Sequence, residues 1–289
     1  MKTVNIARPV HALTEKLSIL CLSLALTLLV SCNSDEAAPD FSAEDTESAS
    51  SDAVEDSYFE DADDLMTGAL AAEDVESGGR VSTDERLTCA TRERLGTKES
   101  GRLRVDFGAG CTDQRGNVRR GAIVVEHTGR WNVPGSILNI SYENYSINDI
   151  SMEGNRKVTV VSVVDSTTTY DIVLTGGRIT WEDGRVATRE VNRRRIHERH
   201  SNQLLNRLII YGIAQGTFRN GRGYSIEILE RLIYTHACLA EGVIIPVSGV
   251  KLIKHVGREL TVDYGDGTCD NIVTLTNKDG RTIQYEVGK

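Results

Sequence analysis

Residues 101–113 read GRLRVDFGAGCTD, and towards the other end of the chain residues 257–271 read GRELTVDYGDGTCDN. In the first stretch Leu103, Val105 and Phe107 alternate with Arg104 and Asp106, the period of two expected of a strand with one buried face. The second stretch aligns with it if one extra residue follows Arg258 and another precedes the cysteine. Each copy ends in glycines and a sulfur: Gly108, Gly110 and Cys111 in one, Gly265, Gly267 and Cys269 in the other. A strand end, a glycine turn and a cysteine, met twice, set the reading of everything between them.

The intervening sequence has the same texture. SILNISYENYSI (136–147), RKVTVVSVV (156–164), TYDIVLT (169–175), RLIIYGIAQGTF (207–218) and YSIEILERLIY (224–234) are rich in β-branched and aromatic residues. Asp183-Gly184, Asn220-Gly221 and Asp279-Gly280 supply the positive backbone angles that two-residue hairpin turns need. Pro134 and Pro246 are the only prolines from residue 80 onward, so long strands are permitted. Helical periodicity is predicted in one place within this region, 197–209. The expected fold is all-β, an antiparallel meander of about 10–13 strands forming either a sandwich or a curled open barrel.

Upstream of cysteines 111 and 269 stand Cys89 and Cys238, with 21 and 30 intervening residues respectively. Four cysteines in an exported chain allow three pairings, and the repeated layout favours Cys89–Cys111 and Cys238–Cys269, each unit closing on itself. Loops of this size gain roughly 3–4 kcal/mol from closure in the chain-entropy account.

Export is read from the N-terminus. Lys2, Arg8 and Lys16 precede the uncharged fourteen-residue stretch LSILCLSLALTLLV, which is shorter than the ~20 apolar residues of a spanning helix. Leu29-Val30-Ser31-Cys32 follows and resembles the lipobox of bacterial lipoproteins. That resemblance implies cleavage before Cys32 and its acylation with diacylglyceryl and palmitate-class chains. Asn33 and the acidic CNSDEAAPD that begins at Cys32 imply an outer-membrane protein, facing the cell surface or the periplasm. The paired VDFGAGC and VDYGDGTCDN, with GRITWEDGR and GTFRNGRGYSI between them, also resemble a family of uncharacterised Gram-negative envelope lipoproteins over most of residues 100–287. The family implies architecture and location but no catalytic residues.

Charge is distributed in two opposed parts. Residues 33–79 hold sixteen Asp or Glu and no Lys or Arg, whereas residues 80–289 hold 30 basic against 25 acidic residues. A segment so acidic and so poor in apolar residues is expected to stay solvated. The organisation predicted is a signal peptide at 1–31, an acidic flexible tether at 32–79 and a disulfide-stapled β domain at 80–289. Within the tether, Tyr58, Ala62, Leu65, Met66, Ala69 and Leu70 recur at helical spacing, which predicts a short helix over 57–75.

Three groups of residues invite chemistry. Asp263, Asp266 and Asp270 cluster with glycine as a hard cation such as Ca2+ requires, although their spacing is not that of an EF-hand and Ala109 replaces the middle acid in the first copy. Arg193, Arg194 and Arg195 offer charge-assisted bonds to an anionic ligand such as a glycan or lipid phosphate, or guard a strand edge. His197 and His200 share a face only on a helix, and no third zinc ligand is recognisable beside them. No basic-aromatic interleaving points to nucleic acid, and no nucleophile elbow, His-Glu-x-x-His or phosphate loop points to hydrolysis. The functional expectation is a non-enzymatic binding or scaffolding lipoprotein with a glycan or envelope-protein partner. The alternatives are an apolar-ligand carrier built on an open barrel, and an extracellular glycan hydrolase whose paired carboxylates only a fold can reveal.

Overall fold

A computed structural model describes residue 41, residues 43–74 and residues 84–287 apart from 115 and 244. The strands are β1 (Thr91–Gly96), β2 (Ser100–Asp106), β3 (Cys111–Thr112), β4 (Val118–Thr128), β5 (Ile137–Ile147), β6 (Ile150–Val164), β7 (Thr167–Thr180), β8 (Val186–Glu198), β9 (Arg207–Thr217), β10 (Gly223–Thr235), β11 (Ser248–His255), β12 (Arg258–Asp266), β13 (Ile272–Asn277) and β14 (Thr282–Glu286). They form one antiparallel sheet in the order β1-β2-β4-β5-β6-β7-β8-β9-β10-β11-β12-β13-β14, with the two-residue β3 beside β4. Both ends of that order are edges, so the sheet is open, and of the two architectures expected the curled sheet is the one formed. Among the described residues the α-helices are α1 (Ala43–Asp74) and the short α2 (His236–Ala240).

The turns follow from the dipeptides that mark them. Trp181 N donates to Arg185 O, Phe218 N to Arg222 O and Asn277 N to Arg281 O, which closes three-residue rather than two-residue loops. Gly184, Gly221 and Gly280, at φ of 78°, 82° and 78°, occupy the left-handed last position that such loops reserve for glycine.

Curling has a local cause and a visible consequence. Register shifts interrupt seven of the strand pairs, and bulges of this kind bend a strand and increase its twist. At one of them Gly121 has φ 71°, and a Cβ there would stand 2.2 Å from Asn144 O. As a result, side chains from distant strands converge. Arg189 and Arg193 on β8 and Lys251 on β11 all reach Asp56 of α1, although on a flat sheet β8 and β11 would lie about 14 Å apart.

The helix is the larger departure from expectation. Of the segment predicted over 57–75, residues 57–74 are helical, but α1 begins at Ala43, so residues 43–74 of the stretch read as a flexible tether are a 32-residue helix. Ala62, Leu65, Met66, Ala69 and Leu70 are buried as the spacing implied, while Phe59, 1% exposed, takes the place expected of the half-buried Tyr58. Together with Leu103, Val105, Val158, Ile172, Ile226, Leu260 and Val262 from the sheet they make one core. Residues 32–40, including Cys32, lie outside the described residues, as does the signal segment.

Both disulfides are formed as the layout favoured, Cys89–Cys111 and Cys238–Cys269. The two copies of the opening motif match in local geometry as well. Asp106 Oδ1 accepts from Gly108 N at 2.8 Å, and Asp263 Oδ1 accepts from Gly265 N at 2.9 Å, while Phe107 and Tyr264 turn inward at 3% and 4% exposure.

Candidate functional site

Alternation along the strands decides what faces α1. On β8 the inward positions are Ala187, Arg189, Val191, Arg193 and Arg195. Arg119 on β4, Arg156 on β6 and Lys251 on β11 point the same way, and all six cations are nearly or fully buried. The concave face is therefore a basic cradle with an apolar floor. The buried face of α1 answers it with Asp45, Asp52, Glu55, Asp56 and Asp63, spaced among Ala49, Ala53, Phe59, Ala62 and Met66.

The pairing runs along the helix in four stations. Asp45 meets Arg258 at 2.7 Å and His255 at 3.8 Å. Asp52 meets Lys251 at 2.5 Å and Arg189 at 2.9 Å, and Asp56 meets Arg193 at 2.8 Å, Lys251 at 3.3 Å and Arg189 in a shorter contact. Glu60 binds Arg156 at 2.8 Å and also Arg195, while Asp63 accepts from the same two arginines at 2.6 and 2.8 Å. Asp61 joins Arg119 at 2.6 Å and Arg86 at 2.8 Å. Tyrosines complete the network: Arg189 donates to Tyr224 at 2.9 Å and Arg119 to Tyr145 at 2.6 Å.

Burial and charge set the protonation states. Burial acts to raise Asp56, but Arg189, Arg193 and Lys251 override it and hold the carboxyl well below its usual range. Its neighbour Glu55 goes the other way. Burial, with Asp52 and Asp56 adding like charge, lifts it to about 8 against the opposing pull of Arg189. Glu60 and Asp63 divide similarly: burial is outweighed by Arg195 and Arg156 at Glu60, which is lowered, and prevails at Asp63, which is raised. Carboxyls pushed apart in this way mark acid–base pairs in open clefts. Here Glu55 and Asp56 are 0% and 4% exposed between helix and sheet, where their work is to hold the helix.

The residues singled out from sequence are placed as follows. Arg193 and Arg195 face inward and already bind anions, the carboxylates of α1, while Arg194 turns outward to Asp171 at 2.7 Å. Strand β8 lies in the middle of the sheet, so these arginines guard no edge. Residues 197–209 are not helical: His197 and Glu198 finish β8, and Gln203–Leu205 form a single 3-10 turn before β9. The aspartates near the C-terminus each serve their own turn. Asp263 accepts from Gly265 N, Asp266 from Thr268 Oγ1 at 3.1 Å and Asp270 from Ile272 N at 3.0 Å. Among the described residues no group of three His, Cys, Asp or Glu is arranged to hold a metal ion. Sequence reading missed the cradle because it counted each acid of α1 as solvated. The available signal was that Asp45, Asp52, Asp56 and Asp63 fall on the same helical face as the small and apolar residues.

The convex side carries a shallow groove of about 370 Å³ lined by Val173, Asn192, Ile213, Glu227, Leu252 and Lys254.

The fold and site thus define a single curled antiparallel sheet wound on one acidic helix and held to it by buried ion pairs. No family model, curated protein or solved structure matched the chain in comparison.

Proposed function

We propose that this protein is a lipid-anchored envelope protein with a non-enzymatic binding or scaffolding role, held through acylated Cys32 at the bacterial outer membrane and facing the cell surface. The basic leader, short apolar core and Leu29-Val30-Ser31-Cys32 support the anchor. Two disulfides support an oxidising compartment. One observation carries the role: the concave face, where a carrier or an enzyme keeps its cavity, is filled by α1 and neutralised by its carboxylates. Contact with a glycan or an envelope protein then falls to the convex face and the turns. Substitution Cys32→Ser tests the anchor, and protease shaving of intact cells tests the orientation. Release of the variant from membranes and loss of the wild-type protein on shaving are expected, whereas a variant that stays with the membrane fraction overturns the reading.

The carrier reading stands second, because the cradle combines apolar floor and cations in the way an anionic amphiphile would need once α1 had left. Native mass spectrometry of the purified chain separates the two, since a carrier arrives with bound lipid and a scaffold without it.

A further inference from the structure

We propose that α1 is an exchangeable ligand of the basic cradle, and that the partner the cradle fits is the α1 of a second copy of this chain. A permanent core is most stable when apolar, and replacing buried ion pairs by hydrophobic residues of similar volume is often neutral or stabilising. Here one helix instead meets Arg119, Arg156, Arg189, Arg193, Arg195 and Lys251, all buried. Charge on both faces leaves each of them soluble when apart, which a reversible contact requires and a permanent one does not. The satisfaction of the network is also incomplete. Nε of Arg119, Arg189, Arg193 and Arg195, Nη2 of Arg193, Oε1 of Glu55 and Oδ1 of Asp63 make no hydrogen bond among the described residues. Water would satisfy every one of these atoms in the separated state, so separation costs less than the number of ion pairs suggests.

Charge also acts within α1, which carries twelve acids and no Lys or Arg. Asp52 and Asp56, Asp56 and Glu60, and Glu60 and Asp64 stand four residues apart, and like charges at that spacing destabilise an isolated helix. Outside a cradle α1 loses the cations that keep it helical, so a released helix is driven to dock again. A helix that fits must place carboxylates as Asp52, Asp56, Glu60 and Asp63 do, on one face with Ala49, Ala53, Phe59, Ala62 and Met66. A second copy does so by identity. Reciprocal exchange restores every ion pair in both chains, so monomer and exchanged pair differ mainly in chain entropy and concentration. The nine residues 75–83 that join α1 to the sheet domain reach at most about 30 Å when extended, a lead long enough for an adjacent copy.

The contact between Asp52 and Lys251, at 2.5 Å, supplies the test. A carbodiimide activates the Asp52 carboxyl, and the Lys251 amine displaces the activated ester to form an amide, releasing the urea. Full chains grown with light and heavy nitrogen are mixed in equal amounts, equilibrated, cross-linked and digested. Exchange predicts Asp52–Lys251 peptides with one light and one heavy half, rising with protein concentration towards roughly half of all such cross-links once the exchanged pair predominates, as random reassortment of symmetric partners requires. Lys251→Arg, which keeps the charge but cannot be acylated in this way, removes the cross-link while mixed dimers persist in native mass spectra. Cross-links confined to like isotopes overturn the proposal, as does a helix that never becomes reactive. Mixed cross-links to an added peptide of residues 43–74, without exchange between chains, assign the cradle to another protein's helix and overturn the second copy.

Discussion

Asp56→Ala is the sharpest probe of how the helix is held. Asp56 is 4% exposed and is shared by three cations, Arg189, Arg193 and Lys251. Arg189 and Lys251 each keep Asp52 when Asp56 is removed. Arg193, 4% exposed, has Asp56 as its ion-pair partner among the described residues, so the substitution strands a buried guanidinium. Removing one partner of a buried pair costs about 3–5 kcal/mol, because the remaining charge is left without compensation. The reverse change, Arg193→Met, leaves Asp56 with two cations and is expected to cost about 1.5–3 kcal/mol, the loss of one charged hydrogen bond. In Asp56→Leu with Arg193→Met both ends of the pair become apolar, and most of the loss should return. The assay is urea unfolding of the oxidised chain at neutral pH, followed by far-ultraviolet circular dichroism, with midpoints compared at constant slope. The reasoning fails if Asp56→Ala and Arg193→Met are equally mild, since both charges would then be hydrated and α1 would not be docked.

Three other outcomes follow from the same interface and from the staples. Glu55, with a folded value of about 8 above an ordinary 4.5, favours folding while protonated, so its contribution is complete below pH 4.5 and is lost as pH rises towards and through 8. Glu55→Gln should therefore flatten the decline in stability between those values, and a wild-type curve already flat across that window would refute the assignment. Asp56 and Glu60, both lowered, act in the opposite sense: their stabilisation is present above the ordinary carboxylate range and is lost as pH falls below it, which helix content during acid titration reports. Replacing Cys238 and Cys269 together by alanine opens a link of sequence separation 31 and should lower unfolding free energy by roughly 3–4 kcal/mol; an unchanged urea midpoint would show that the staple constrains nothing.

The sheet was legible because its signals are local. Period-two alternation at 101–107 marks β2, Asp-Gly and Asn-Gly mark three of the turns, and the matched spacing of four cysteines marks the pairing. Each requires only residues within a few positions of one another. The cradle was not legible because its partners lie far apart: Asp56 and Lys251 are separated by 195 residues, and Asp52 and Lys251 by 199. In a single sequence an acidic helix face and a solvated acidic tether have the same composition. What distinguishes them is whether basic residues occupy the inward positions of strands elsewhere. Arg193-Arg194-Arg195 illustrates the difficulty: as a run it reads as a surface patch, but in a strand its first and third members face one way and its second the other.

That opposition accounts for the two halves of the charge balance. Residues 80–289 carry an excess of basic residues because several of them line a concave face that the acidic segment covers. An apolar face of that size, awaiting a helix that the chain must bring from outside the meander, would offer a surface for association with other chains while the sheet assembled. Placing cations there keeps the open sheet soluble, and placing acids on α1 directs the one segment that neutralises them. The stability forgone by burying charge is thus exchanged for specificity in what fills the sheet. The same logic makes the identity of the filling helix, from its own chain or from a neighbouring copy, a matter of proximity more than of affinity.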